Sequence, residues 1–431
     1  MSRWTIKQVL DAAPDRGSVK AARSLARPGP WSGTGATDRL LWGKCQGSGR
    51  TPYQVSIDLE APAFRCSCPS RKFPCKHALA LLLLWVEGDD VADVSEPSDF
   101  ASEWVQARAT RAEAAATRVA APADPGARAK RAEERVATMS AGIEEFALWL
   151  TDLVRGGTAA ARGRDHEYWD GAAARLVDSQ CPALAADVRA TGSLVHRGDD
   201  WNDQLLRVLG RWWLVVVAWR RREHLSDAHR EDVRSALGWP YATDDVRAGR
   251  TVTDRWLVLG SHRADTGRLL EQRTWFHGLD TGERVVVLDF AAGGQALPVP
   301  QLTGAVVRAT LALYPGSAPR RALVVGDLEP VDVRGSPSGE EDVATALATV
   351  AAAREESPLV RRVPLLLESV TLGVEHLVDA TGAALPLVTG RDPWPVLAVT
   401  GGHPTTCFGE WDASGFRPLS VVVDHRWVTC G

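Results

Sequence analysis

The chain has 431 residues, a length that suggests about three domains. Of these residues, 45% are hydrophobic and 24% are charged, which is ordinary for a globular protein with a sizeable core. The two longest apolar stretches, residues 78–86 and 212–219, are too short to span a membrane, which takes roughly 20 apolar residues. No secretory leader is visible at the start, so we expect a cytoplasmic protein without membrane contact.

Charge is distributed unevenly along the chain, although the net charge is only −4. Residues 1–77 contain thirteen Lys and Arg against five Asp and Glu, a net charge of +8, which leaves −12 for the remainder. A basic head on an acidic body indicates either an anionic partner for the head or attraction between the two parts of the protein. Both interpretations stay open.

The N-terminal part predicts two short helices, then strands, then a buried helix. Residues 4–13 have roughly helical spacing of apolar side chains, and Ser18 is a candidate cap for a second helix that ends at 28–30. Alternation of apolar and polar residues from Tyr53 to Leu59 is typical of a half-buried strand. The predicted strands are 40–45, 53–59 and 64–68, and the apolar stretch 78–86 is predicted to be a buried helix.

Further along the chain, helical periodicity covers residues 140–238, and Asp200 is a candidate cap for one helix there. That helix carries an apolar stripe of Leu205, Leu206, Leu209, Trp212, Trp213 and Val216. From about residue 250 the pattern changes to short strands, with turn sequences that predict hairpins at 280–282, 379–382 and 412–415. The predicted strands are 256–259, 274–277 and 284–290, and helices are predicted at 303–313 and 339–356.

These elements predict an α+β protein. Its parts are an N-terminal ββα-type module at 1–90, a linker or charged arm at 91–128, a helical domain at 129–245 and a β-rich α+β domain at 246–431.

One cluster of residues carries recognisable chemistry, a C-x-C pair followed after six residues by C-x-H. Residues two apart on a strand face the same side, so Cys66 and Cys68 are expected to present two thiolates together. Cys75 and His77 are expected in the first turn of the following helix, whose N-terminus stabilises thiolate charge. Three Cys and one His match a closed tetrahedral zinc site, and clustered thiols in a reducing compartment are typical of metal binding.

A closed set of four ligands favours one structural Zn²⁺ over a catalytic one, since catalytic zinc keeps an open position. The alternative is a set of unconnected core thiols, but four such residues seldom coincide at this spacing. The basic residues Arg65, Arg71, Lys72 and Lys76 surround the cluster. They either offset the charge of three thiolates or contact a partner or phosphates.

The ligand pattern resembles the SWIM zinc finger, and all four ligand positions match. Residues 42–49, 52–53 and 66–77 are similar to bacterial SWIM zinc finger proteins, and the helical middle resembles them less distinctively. The resemblance implies binding of DNA or protein. It also implies an accessory role beside MoxR-type ATPases and von Willebrand factor A proteins, next to which such proteins are often encoded.

We therefore expect an interaction protein with a SWIM zinc module that docks a protein partner, and no enzyme activity. DNA or RNA binding through the basic head is one alternative, and an enzyme site in the C-terminal domain is another, supported only by that domain's size. No small-molecule substrate is evident. Cys45 is more often a buried thiol than a spare ligand, and His403 with Cys407, or His425 with Cys430, does not repeat the pattern.

Overall fold

The computed structural model describes most of the chain. The described residues are 4, 6–11, 13, 16–47, 49, 51–59, 63–68, 70, 74–88, 91–92, 94, 96–106, 110, 125–196, 198, 200–265, 269–292, 297–317, 319–332, 337–390 and 392–430. The chain divides into two compact units. The first comprises residues 1–122, 263–272 and 289–300, and the second comprises 123–262, 273–288 and 301–431. The α+β prediction is confirmed, with a mixed helix-and-sheet N-terminal part, a helical part and C-terminal sheets.

The first unit contains a four-stranded antiparallel sheet in the order β1-β2-β3-β4. Its strands are β1 (Trp31–Ala36), β2 (Leu40–Cys45), β3 (Tyr53–Asp58) and β4 (Ala63–Cys66). Its helices are α1 (Ile6–Asp11), α2 (Arg16–Leu25) and α3 (Lys76–Glu87), and residues 99–106 are also helical. Because α2 begins at Arg16, Ser18 is a buried helical residue, and the prediction that it caps this helix was wrong.

Both faces of the sheet are covered, which the alternating pattern of β3 did not predict. Ser56 and Asp58, expected on a solvent face, are 1% and 2% exposed. On that face, Phe100 and Val105 of the helical segment 99–106 pack against a small cluster. The cluster contains Leu40 and Trp42 of β2 together with Ala101. Part of the predicted arm at 91–128, residues 99–106, is therefore helical, and residues 107–109 and 111–124 lie outside the described residues.

Helix α3 is the centre of the first unit's core. Nine of its twelve residues are buried, from His77 to Trp85. It contacts α1, α2 and strands β2, β3 and β4. The predicted buried helix at 78–86 is confirmed, and it ends before Gly88 as the pattern indicated.

In the second unit, the described residues before the first strand form seven helices. They are α4 (Pro125–Gly156), α5 (Thr158–Arg162), α6 (His166–Asp178), α7 (Pro182–Leu194), α8 (Trp201–Arg220), α9 (Asp227–Leu237) and α10 (Thr243–Ala248), with a 3₁₀ turn at 222–224. Asp200 occupies the N-cap position of α8 but accepts a hydrogen bond from Gln204 Nε2 at 2.6 Å, so it does not cap the helix with its side chain. Leu206 and Trp213 are 52% and 44% exposed, so only part of the predicted stripe faces the core.

The following five strands form a closed barrel in the order β5-β6-β7-β9-β8. They are β5 (Thr251–Asp265), β6 (Leu269–Gly278), β7 (Arg284–Ala292), β8 (Val306–Leu313) and β9 (Arg320–Val331). The predicted helix at 303–313 was wrong, because this segment is β8. Its alternate residues Val307, Ala309, Leu311 and Leu313 belong to one core cluster, which is the period of two expected for a strand.

The chain ends in a six-stranded sheet of order β12-β11-β10-β13-β14-β15. Its strands are β10 (Val363–Leu372), β11 (His376–Val378), β12 (Ala384–Pro386), β13 (Thr405–Asp412), β14 (Gly415–Val423) and β15 (Arg426–Thr429), accompanied by helices α11 (Val343–Glu356) and α12 (Trp394–Thr400). The predicted helix at 339–356 and the hairpins at 379–382 and 412–415 are confirmed.

Candidate metal centre

The first two ligands lie where β4 ends. Cys66 is the last residue of β4 and pairs with Val55 of β3. Just beyond it, Ser67 is tied to Gln54 twice: its amide donates to the Gln54 carbonyl at 3.0 Å, and its hydroxyl accepts from the Gln54 amide at 3.0 Å. Cys68 follows in a bend, so the prediction that both cysteines lie on a strand was wrong. The bend still directs both sulfurs to one place.

The other two ligands lie at the start of α3. Cys75 is the N-cap residue, and its carbonyl accepts a hydrogen bond from the Leu79 amide at 3.1 Å. Its side chain makes no capping hydrogen bond, which leaves the sulfur available to a metal. His77 lies in the first helical turn and is only 5% exposed, as the sequence pattern predicted.

The four donor atoms converge. All of them lie within 4.8 Å of one another, and His77 Nδ1 is 3.8 Å from Cys66 Sγ and 4.0 Å from Cys75 Sγ. A tetrahedral zinc with Zn–S bonds of 2.3 Å places its ligand atoms about 3.8 Å apart. The arrangement therefore fits zinc in donor chemistry and in spacing. Within the described part of the chain, no other group of three or more His, Cys, Asp or Glu meets this criterion.

The three cysteine side chains of the site change one another's pKa. The Cys66 thiol hydrogen-bonds to the Cys75 sulfur, which lowers the pKa of Cys75 to about 4 despite its burial, and the His77 ring contributes to the same shift. The same hydrogen bond, together with burial, raises the pKa of Cys66. Burial also raises the pKa of Cys68. A thiolate at a helix N-terminus is the form that binds metal.

Comparison with known families decides what this site is. The family description "SWIM zinc finger" matches residues 53–85, from β3 through all four ligands to α3. The chain contains a SWIM zinc finger. A second description, "SWIM-associated four-helix bundle domain", matches residues 134–237. No curated protein matches the chain, and no solved structure does.

In the SWIM finger, Cys66, Cys68, Cys75 and His77 are positioned to bind one zinc ion. Such an ion would join the end of β4 to the start of α3 through three sulfurs and Nδ1 of His77. With four protein donors, the chemistry that zinc supplies there is a structural cross-link. The apparent binding free energy of structural zinc in finger peptides, about 10–16 kcal/mol, is comparable to the stability of a whole domain.

The four basic residues predicted around the SWIM ligands have different outcomes. Arg65 lies on β4 opposite Ser56 and is exposed, and Lys76 is an exposed residue of the first turn of α3. Neither forms a salt bridge within the described residues. Arg71 and Lys72 lie outside the described residues.

Two further residues, Cys45 and Tyr53, lie on the strands beside the SWIM site. Cys45 is fully buried, outside the ligand group, and burial raises the pKa of its thiol, so the prediction of a buried thiol is confirmed. Tyr53, which pairs with Cys45 across β2 and β3, was predicted as a strand residue and as part of the family resemblance, but not as a neighbour of a ligand. Its ring lies against the imidazole of His77.

In the described portion, no helix is long and apolar enough to cross a bilayer.

Proposed function

We propose that the SWIM finger is a zinc-stabilised interaction module and that this protein acts by binding a partner, not as an enzyme. The observation that carries the proposal is the closed ligand set. Four converging protein donors leave no open coordination position, and catalytic zinc needs one for water or substrate. The metal therefore supports the surface around it.

A protein partner is favoured because the finger is firmly anchored by α3, of which nine residues are buried. A rigid element presents a surface with little loss of conformational entropy on binding. The exposed residues beside the ligands, Arg65 and Lys76, are cationic, and residues 1–77 carry a net charge of +8. Such a surface fits an acidic partner surface and accelerates association. The similarity to bacterial SWIM proteins supports a partner from a MoxR-type ATPase and von Willebrand factor A system.

The test is co-purification. The tagged chain is co-expressed with the MoxR-type ATPase and the von Willebrand factor A protein of the same genome. We expect the wild type to retain one of them. The charge-reversed variant Arg65→Glu/Lys76→Glu should lose it, whereas Lys130→Glu/Arg131→Glu, which changes two exposed cations of α4, should retain it. Retention of neither protein by the wild type contradicts the accessory role.

Nucleic-acid binding by the same basic face is the second candidate, because two cations flank the ligands without a salt bridge within the described residues. Phosphate contacts release counterions, so affinity should fall steeply with salt, with a log–log slope of about −0.9 per contact on duplex DNA. Titration of a labelled DNA duplex and an RNA strand at several salt concentrations tests this. Arg71→Ala/Lys72→Ala/Lys76→Ala should reduce the slope, while Lys130→Ala/Arg131→Ala should leave it unchanged. If the wild type binds neither the DNA duplex nor the RNA strand, this candidate is removed.

A further inference from the structure

A cavity of about 320 Å³ lies within the second unit, remote in sequence from the zinc ligands. Its wall is built from α8 and α9, strands β6 and β7, and residues around 357–362. Its volume is at the lower end of the range for small-molecule sites, about 300–1,000 Å³.

Four arginines line this cavity, and three of them are held by carboxylates. Arg273 donates to both oxygens of buried Glu410, at 2.9 and 2.8 Å. Arg361 forms a two-point pair with Asp187. The guanidinium of Arg362 lies 3.9 Å from carboxylate oxygens of Glu410 and Asp412.

Arg211, on α8, is different. Its Nη1 donates to the Leu359 carbonyl at 2.8 Å, and this is its one hydrogen bond within the described residues. A guanidinium has five N–H donors, so the other four have no hydrogen-bond partner among the described residues, and Arg211 lines the cavity. Burial and the nearby charge of Arg361 lower the pKa of Arg211 to about 10 against the opposing charge of Asp187, which is itself paired with Arg361, so Arg211 is still a cation at neutral pH. A largely buried cation with no carboxylate in direct contact is costly unless something compensates it.

The one acidic residue of the lining does not compensate it. Asp232 accepts hydrogen bonds from the Ser317 amide at 3.0 Å, from the Ser317 hydroxyl, and from the Ser357 hydroxyl at 3.0 Å. Its oxygens are therefore already used within the wall. The rest of the wall includes apolar side chains, among them Trp275, Leu288 and Val360.

We propose that this cavity binds a small organic anion, with a carboxylate or phosphate group at Arg211 and an apolar body against Trp275, Leu288 and Val360. A guanidinium presents paired N–H donors that match either anion. The three neutralised arginines keep the wall polar without excess positive charge, so the pocket selects a single anionic group.

The proposal is tested by calorimetric titration of the full chain at constant ionic strength, with benzoate, phenyl phosphate and inorganic phosphate as probes and neutral benzamide as the matched control. We expect benzoate or phenyl phosphate to bind saturably, at least tenfold more tightly than inorganic phosphate, and benzamide not to bind. Equal binding of benzoate and benzamide, equal binding of phenyl phosphate and inorganic phosphate, or no binding of any anion at millimolar concentration overturns the proposal.

Variants then locate the site. Arg211→Gln should weaken binding at least tenfold. Arg207→Gln, one turn away on α8, should not change it, because Arg207 also donates to one backbone carbonyl but does not line the cavity. Leu288→Trp, which fills the cavity and leaves Arg211 in place, should abolish binding and decides the matter if Arg211→Gln does not fold. Unchanged affinity in Leu288→Trp, with a native circular dichroism spectrum, places the anion elsewhere and refutes the assignment.

Discussion

The ring of Tyr53 lies against the imidazole of His77, with centroids 4.9 Å apart and planes inclined by 37°. Tyr53 is the first residue of β3, and His77 lies in the first turn of α3. The contact therefore joins the sheet to the helix beside the place where the zinc ligands join them. It fixes the orientation of the His77 ring, whose Nδ1 faces the sulfurs of Cys66 and Cys75.

Replacing Tyr53 by alanine should weaken zinc binding, because the His77 ring loses the aromatic surface that orients it. Neighbours that orient a metal ligand typically change affinity by about 10–100-fold, and we expect about tenfold here. Competition with a chromophoric chelator measures the change. Tyr53→Phe keeps the ring and should retain nearly the wild-type affinity, so an equal loss in both variants contradicts the role assigned to the ring.

Gly47 leaves room for that ring. A Cβ at this position would lie 2.4 Å from Tyr53 Cε2, so the ring must move to accept any side chain. We expect Gly47→Ala to lower both the zinc affinity and the melting temperature. Gly49→Ala is the matched control, since a Cβ there meets nothing within 4 Å. Indistinguishable behaviour of the two variants in chelator competition argues against the close approach.

The buried pair of Arg273 and Glu410 should make the second unit sensitive to acid. Burial by itself would raise the pKa of Glu410, but the hydrogen bonds and charge of Arg273 outweigh it, and the net direction is downward. A carboxyl whose pKa is lower in the folded state stabilises the protein above its unfolded pKa of about 4.3, and this contribution is lost as pH falls through the folded value. Urea unfolding between pH 7 and pH 3.5 measures it.

Glu410→Gln should lower the free energy of unfolding at pH 7 by about 3–5 kcal/mol, because Arg273 is then a buried cation without a partner. It should also flatten the dependence of stability on acid pH. Glu145→Gln, which breaks an exposed pair with Arg175, should cost less than about 1 kcal/mol. If Glu410→Gln lowers the free energy of unfolding by no more than Glu145→Gln does, the buried pair does not contribute as described.

Local chemistry made the metal site predictable. Three Cys and one His at fixed spacing have few other uses, and the unbroken apolar run to Val86 could only be buried. The strand assignment of Cys68 failed because spacing along the chain does not show where β4 ends. Strand β1 was missed because its sequence, Trp-Ser-Gly-Thr-Gly-Ala, lacks an apolar alternation. It pairs because Gly35 lets the Trp42 ring approach closely.

The barrel and the arginine-lined cavity could not be predicted for a different reason, which is that they depend on long-range pairing. Alanine and leucine in Val306–Leu313 favour a helix locally, and only the barrel partners select a strand. Arg211 and Arg361 are 150 residues apart along the chain, so no local pattern indicates that they share a wall.

The ligand geometry predicts that one zinc ion is held by Cys66, Cys68, Cys75 and His77. Metal analysis of the purified chain by mass spectrometry tests it most directly, together with Cys68→Ser and, as a control, Cys181→Ser at a buried thiol outside the site. We predict about one zinc per chain for the wild type and for Cys181→Ser. Cys68→Ser should contain none, and its N-terminal region should become sensitive to protease. A wild type without zinc, or full zinc content in Cys68→Ser, would contradict the claim.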